Sequence, residues 1–143
     1  MASQLFRAIF VQTLYANRII LGEVHPALDV LMRRQPLGLL AGFEVCSHGD
    51  EKGPLMWIED GPVHCSVEEL ATIIEAQRGF VGQTVYLRMC EVGKGTDSFA
   101  QRLANRLGVP VAAPTARIFN DDLYTLIDDG CWHIFEPQPN PHR

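Results

Sequence analysis

Residues 84–113 constrain the fold more than any other part of the sequence. An apolar run at 84–89 is followed by a glycine-containing loop and a helical pattern, and a second apolar run follows at 109–113. Ser98 is typical of a helix N-cap, and Gly108 is typical of the residue that ends a helix. A strand, a helix and a strand in this order predict a parallel βαβ unit with a right-handed crossover.

The preceding part of the sequence predicts another strand and another helix. Residues 39–46 form an apolar run typical of a buried strand, and residues 47–54 are predicted to form a polar loop. Ser66 and Glu69 match the capping-box pattern, and apolar residues follow them at helical spacing. A helix beginning at Ser66 is therefore predicted.

The two ends of the chain are less distinctive. Residues 8–14 fit either a helix face or a first strand, and Pro26 is placed to begin a helix that runs to about Arg34. Near the other end, Asp128-Asp129-Gly130 separates two apolar segments, which predicts a terminal hairpin or strand pair of residues 123–127 and 131–135.

Length and composition indicate a single α/β domain. We expect it to span residues 1–136, with residues 1–35 as a lead-in and residues 137–143 as a frayed tail. The net charge of -5 argues against a nucleic-acid partner, and no apolar stretch reaches the roughly 18 residues of a membrane span. No signal peptide is recognised, so the expected location is the cytoplasm, or outside the cell through a dedicated secretion system without a cleavable signal.

Two of the predicted strands end in reactive side chains. His48 and Gly49 follow the first strand, and Cys90 follows the second. If these strands are parallel neighbours, imidazole and thiol face each other at the edge where α/β sheets bind ligands. Because the thiolate is the nucleophile, a nearby imidazole favours catalysis by Cys90. The pattern predicts a Cys–His dyad, with the main-chain N–H groups of Gly49 and Cys90 as candidate oxyanion donors.

These residues resemble the caspase-type cysteine peptidases, a group that includes gingipains and the self-processing peptidase domains of bacterial toxins. The resemblance covers residues 39–113 and depends on His48-Gly49, Cys90 and the helix between them. Its most specific segment, residues 87–115, is similar to small domains of bacterial polymorphic toxins and secreted effectors. Serine usually precedes the cysteine in that pattern, whereas Met89 does so here, and no acidic partner of His48 is identifiable.

The resemblance implies a three-layer α/β sandwich with a mostly parallel central sheet, caspase-like and reduced at its N-terminus. It implies a cysteine endopeptidase that needs no cofactor, with His48 as general acid and base and Cys90 as nucleophile. The expected partners are a protein or peptide substrate and a cognate immunity or secretion partner. Six residues beside the reactive ends and after the third strand are candidates for lining the substrate pocket: Ser47, Asp50, Met89, Glu91, Thr115 and Arg117.

Two alternative interpretations remain open at this point. Cys46, His48, His64 and Cys65 could together bind zinc, although their spacing differs from that of common structural zinc sites. The chain could also be a non-catalytic interaction module of a secretion or toxin-immunity system. A buried, slowly alkylated Cys90 favours the module, whereas a reactive Cys90 favours the enzyme.

Overall fold

The computed structural model describes residues 9, 11–22, 26–34, 42–58, 61–118 and 124–139. The strands and helices in these residues are, in chain order, β1 (Val11–Tyr15), β2 (Arg18–Leu21), α1 (Pro26–Arg34), β3 (Phe43–Cys46), β4 (His48–Asp50), β5 (Gly53–Ile58), β6 (Gly61–His64), α2 (Val67–Glu75), β7 (Val85–Arg88), α3 (Phe99–Leu107), β8 (Val111–Pro114) and β9 (Trp132–Phe135).

Six of the strands form a mixed sheet in the order β1-β2-β3-β7-β8-β9. The four inner strands are parallel to one another, and β1 and β9 run antiparallel to them at the edges. The β7-α3-β8 segment is the predicted parallel βαβ unit, which is confirmed. Ser98 accepts a hydrogen bond from the N–H of Gln101, and Gly108 ends α3 in the left-handed conformation with φ 74°.

The expected three-layer sandwich with a mostly parallel sheet is wrong. Strands predominate over helices, and they form two sheets, one mixed and one antiparallel, instead of a parallel sheet flanked by helices. The predicted polar loop at 47–54 is part of the reason, because it contains β4 and the start of β5. With β6, these strands form the three-stranded antiparallel sheet.

The C-terminal hairpin is also wrong. Strand β9 pairs antiparallel with β8, with Pro114 opposite Trp132, and it forms no strand ladder with residues 124–127, the part of its expected partner that the structure describes. Within 124–127, a single bridge joins Leu126 to Ile118, while residue 123 lies outside the described residues. The helix at Pro26 and the capping box at Ser66 are confirmed. Of the two alternatives for residues 8–14, the structure has the strand, β1, from Val11.

Both faces of the inner strands are buried, which explains why their sequences lack simple alternation. On one face the largest core cluster includes Phe43, Val45 and Leu87 together with residues of α2 and α3. The opposite face carries Cys46 in a smaller cluster that Cys90 also contacts. The sheet therefore holds the ends of β3 and β7 rigidly between two packed layers.

Candidate functional site

The strands that precede His48 and Cys90 are adjacent and parallel, which is the arrangement that the Cys–His dyad requires. Cys46 lies opposite Arg88 in the β3-β7 ladder, and the N–H of Ser47 donates to the carbonyl oxygen of Arg88 at 3.4 Å. His48 and Cys90 each follow two residues after this pair. Their main chains therefore leave the sheet side by side at the carboxyl edge of the parallel strands.

Gly49 lies directly against the chain at Cys90. A methyl group added to Gly49 would lie 3.1 Å from Cβ of Met89 and 3.3 Å from the carbonyl oxygen of Cys90. Both distances are shorter than ordinary van der Waals contact, so only glycine lets β4 approach the end of β7 this closely.

The main-chain N–H of Gly49 points away from β5. Gly49 lies opposite Pro54, which has no N–H, and the carbonyl oxygen of Pro54 accepts from the N–H of Cys65 on the other side of β5. Gly49 and Pro54 therefore form a non-hydrogen-bonded pair, in which the polar groups of Gly49 face the opposite side. Among the described strands, β4 is an edge of its sheet, so this N–H is directed to the side of β4 that pairs with no further strand of that sheet.

Cys90 and His48 are both half-buried, and burial favours the neutral form of each. Burial raises the pKa of the Cys90 thiol, although a hydrogen bond from the main chain of Ile118 opposes this effect. Burial lowers the pKa of His48. The Cys90 thiol makes two hydrogen bonds with the main chain of Ile118. The N–H of Ile118 donates to Sγ at 3.4 Å, and Sγ donates to the carbonyl oxygen of Ile118 at 3.9 Å. A neutral thiol and a neutral imidazole are expected at pH 7.

The other cysteines are less suited to nucleophilic chemistry. Cys46 is fully buried, and burial raises its pKa to about 12 despite the nearby guanidinium groups of Arg88 and Arg18. Cys65 is buried in the large core cluster. Cys131 is exposed, and its N–H donates to the hydroxyl oxygen of Thr115. Cys90 is the thiol that combines partial exposure with a position at a strand end.

The six predicted pocket residues have different environments. Ser47 and Met89 are buried, which leaves little of either side chain available to a substrate. The other four lie near the surface and interact with neighbours within the chain: Asp50 with His64, Glu91 with Lys94, Thr115 with Cys131 and Arg117 with Asp128. Nothing in these contacts tests their predicted roles.

The pair formed by Asp50 and His64 lies on the same face of the antiparallel sheet as His48. Nε2 of His64 lies 2.8 and 2.9 Å from the two carboxylate oxygens of Asp50. His48 and His64 both lie opposite Leu55 in the ladders, and Asp50 is two residues from His48, so all three side chains share one face. The hydrogen bonds from His64 and the Lys52 N–H outweigh burial and lower the pKa of Asp50.

A buried ionic cluster lies beneath the site and was not predicted from the sequence. Arg18, Glu44 and Arg88 have no exposed side-chain surface, and the Glu44 carboxylate lies 2.9 Å from Arg18 and 3.3 Å from Arg88. The available signal was the presence of single charged residues inside two apolar strands, Phe43-Glu44-Val45 and Leu87-Arg88-Met89. Such residues are rarely buried unless they are paired with opposite charges.

The zinc interpretation receives no support from this geometry. Cys46 and Cys65 lie in different apolar clusters. Across the described ranges, no three side chains of the metal-binding types are grouped so that they could hold an ion.

None of the described helices has the length and apolar character needed to cross a bilayer.

Comparison with known proteins gives a family and no activity. No curated protein and no solved structure matches the chain. Residues 28–128 match the model of a family described as a domain of unknown function, DUF8616. The matched residues include both His48 and Cys90 and exclude the first two strands and the last. The chain belongs to the DUF8616 family.

Proposed function

We propose that this protein is a cysteine peptidase in which Cys90 is the nucleophile and His48 is the general base. The observation that carries the proposal is that His48 and Cys90 each lie two residues beyond the paired ends of two adjacent parallel strands, with Gly49 close to the Cys90 carbonyl. The resemblance of the His48-Gly49 and Cys90 motifs to those of caspase-type peptidases supports the same chemistry. A protein or peptide substrate is part of the proposal.

The neutral states of both side chains define how the reaction begins. His48 removes the proton from the Cys90 thiol as Sγ forms a bond to the carbonyl carbon of the scissile peptide. The carbonyl oxygen becomes an oxyanion, which the N–H groups of Gly49 and Cys90 are proposed to bind. When the oxyanion collapses, the C–N bond breaks and His48 gives its proton to the leaving amine, which leaves an acyl-enzyme on Cys90.

Water completes the cycle without a cofactor. His48 takes a proton from the water molecule as its oxygen bonds to the acyl carbon. Collapse of the second oxyanion breaks the C–S bond, and His48 returns the proton to the sulfur. The products are a carboxylic acid, the amine already released, and the free enzyme with a neutral thiol.

A peptide library tests the proposal directly. We expect the wild-type protein to cleave a subset of a randomised peptide library, detected by mass spectrometry of the products, and Cys90→Ala to cleave none. Cys131→Ala is the matched control, because it removes an exposed thiol that lies in another loop. It is expected to leave cleavage unchanged. A mass increase on Cys90 in acid-quenched reactions is expected from the acyl-enzyme.

Two results would contradict the peptidase. If Cys90→Ala cleaves the same peptides as wild type, the activity belongs to a contaminant or to another group. If no peptide is cleaved and Cys90 reacts slowly with iodoacetamide over the whole pH range, the thiol is structural. The non-catalytic interaction module then becomes the better assignment.

Gly49→Ala is expected to reduce kcat about tenfold. The added methyl group lies within 3.3 Å of the Cys90 carbonyl, so it displaces the end of β7 and the proposed oxyanion donors by a few tenths of an ångström. Steady-state kinetics on a cleaved library peptide measure this effect.

Gly61→Ala is the control for Gly49→Ala. Gly61 has φ 115°, which is unfavourable for alanine, but among the described residues other than its chain neighbours no atom lies within 4 Å of the added methyl group. This variant should therefore lose stability and retain kcat. Equal loss of kcat in the two variants would show that destabilisation, and not the contact with Cys90, explains the result.

A further inference from the structure

Residues 115–118 follow β8 and contact the Cys90 thiol through Ile118. Several interactions hold this part of the chain in place. The N–H of Ile127 donates to the carbonyl oxygen of Arg117 at 2.8 Å, and Ile118 is bridged to Leu126. The Arg117 guanidinium binds the Asp128 carboxylate through two hydrogen bonds of 2.7 and 2.9 Å. The interactions at residue 117 therefore fix the chain one residue before Ile118.

We propose that the ion pair of Arg117 and Asp128 is a positioning clamp that holds the main-chain N–H of Ile118 against Sγ of Cys90, so that this amide stabilises the thiolate during catalysis. This inference rests on the proposed function of Cys90. It assigns a role to Ile118, Arg117 and Asp128 that differs from direct contact with a substrate. Arg117, a candidate pocket residue from the sequence, becomes a positioning residue.

The geometry at Cys90 suits both protonation states of the sulfur. In the neutral state the thiol donates to the carbonyl oxygen of Ile118, at 3.9 Å, and the N–H of Ile118 already lies 3.4 Å from Sγ. After proton transfer to His48 the sulfur is negatively charged, and a hydrogen bond from an N–H to a charged acceptor is stronger than one to a neutral acceptor. The N–H of Ile118 can therefore remain on the sulfur in both states without a large movement of the chain.

The bidentate pair is well suited to this positioning task. Two parallel hydrogen bonds fix the direction of the guanidinium as well as its distance. The pair is exposed, so its contribution to overall stability is expected to be small. Removal of the pair should therefore change the pH midpoint of Cys90 alkylation more than the free energy of unfolding.

Simple electrostatics and the clamp make opposite predictions for Asp128. The positive charge of Arg117 lowers the pKa of Cys90, and the negative charge of Asp128 raises it. If charge alone matters, Arg117→Gln raises the midpoint of Cys90 alkylation and Asp128→Asn lowers it. If the clamp positions the Ile118 amide, both variants weaken the hydrogen bond to sulfur and both raise the midpoint.

The test is the pH dependence of iodoacetamide alkylation at Cys90 in the full-length protein, read by mass spectrometry. We expect the midpoint to rise by about one pH unit in Arg117→Gln and by a smaller amount in Asp128→Asn, in which charge removal partly compensates. The plateau rate at high pH separately reports any change in access to the thiol. Arg106→Gln, which removes another exposed arginine bound to carboxylates, is the control and should leave the midpoint unchanged.

A fall of the midpoint in Asp128→Asn, or no shift in either variant, would overturn the clamp. Alkylation does not require peptide cleavage, so the two proposals fail separately. A clamp effect without cleavage of any peptide would leave the positioning of the thiolate intact and refute the peptidase. Cleavage that depends on Cys90 and His48, with no shift of the alkylation midpoint in either variant, would support the peptidase and refute the clamp.

Discussion

His48→Ala is expected to reduce kcat/KM for a cleaved peptide by about 10²- to 10⁴-fold, the range that general-base catalysis contributes. The reason is the state of the thiol. Burial raises the pKa of Cys90, so little thiolate is present at pH 7 in the absence of a base. Removing the imidazole removes the proton acceptor from the first step. Steady-state kinetics with wild type and variant at pH 7 measure the effect.

The pH profile of wild type should show the titration of His48, the proposed base. Burial lowers the pKa of His48 from its usual 6.5, so its basic form is already present below that pH. The rate should therefore rise with pH through a midpoint below 6.5 and then stay level through neutral pH. An ion pair of thiolate and imidazolium would require the two pKa values in the opposite order.

His133→Ala is the control for both measurements, because His133 lies on the exposed edge strand β9. It should retain the rate and the pH profile of wild type. A His48→Ala variant with at least half of the wild-type rate would exclude His48 as the base. Loss of the low-pH midpoint in His133→Ala would also contradict its assignment to His48.

The sequence predicted the position of the candidate site better than the overall fold. The ends of β3 and β7 are recognisable because each apolar run stops at a reactive residue, and helix α3 is recognisable because Ser98 and Gly108 mark its ends. These signals are local, and the βαβ rule predicted the parallel pairing of β7 with β8. The pairing of β3 with β7 was only a condition of the predicted dyad, and the structure supplies it together with its register, in which Cys46 lies opposite Arg88.

The errors arise where pairing depends on distant residues. Residues 47–54 contain two glycines and several polar residues, so they are typical of a loop, yet β4 forms because its partner β5 and the end of β7 are close by. Strand β9 has no local signal that favours β8 over residues 123–127. The contact of Ile118 with Cys90 joins residues 28 positions apart, and nothing in the sequence marks it.

Glu44→Gln is expected to lower the free energy of unfolding by about 3–5 kcal/mol, the range measured when one partner of a buried ion pair is removed. Glutamine has nearly the same shape, so packing is retained and the change removes chiefly the negative charge. Arg18 and Arg88 both lie against this carboxylate and are fully buried. Both guanidinium groups would then lose the negative charge that lies against them in an environment of low dielectric. Urea denaturation measures the change.

Glu68→Gln provides the matched comparison for this effect. Glu68 also binds an arginine, Arg106, but both side chains are substantially exposed, so solvent screens the pair and a loss below about 1 kcal/mol is expected. If Glu44→Gln were as mild as Glu68→Gln, the buried arginines would be neutralised by other groups. A large loss of unfolding free energy would instead establish Glu44 as the central charge of the buried ionic cluster at β3 and β7. Arg88 is the last residue of β7 and precedes Cys90 by two positions, so a disturbance of the buried charges should reach the site. The pH transition of Cys90 alkylation should therefore broaden in Glu44→Gln and not in Glu68→Gln.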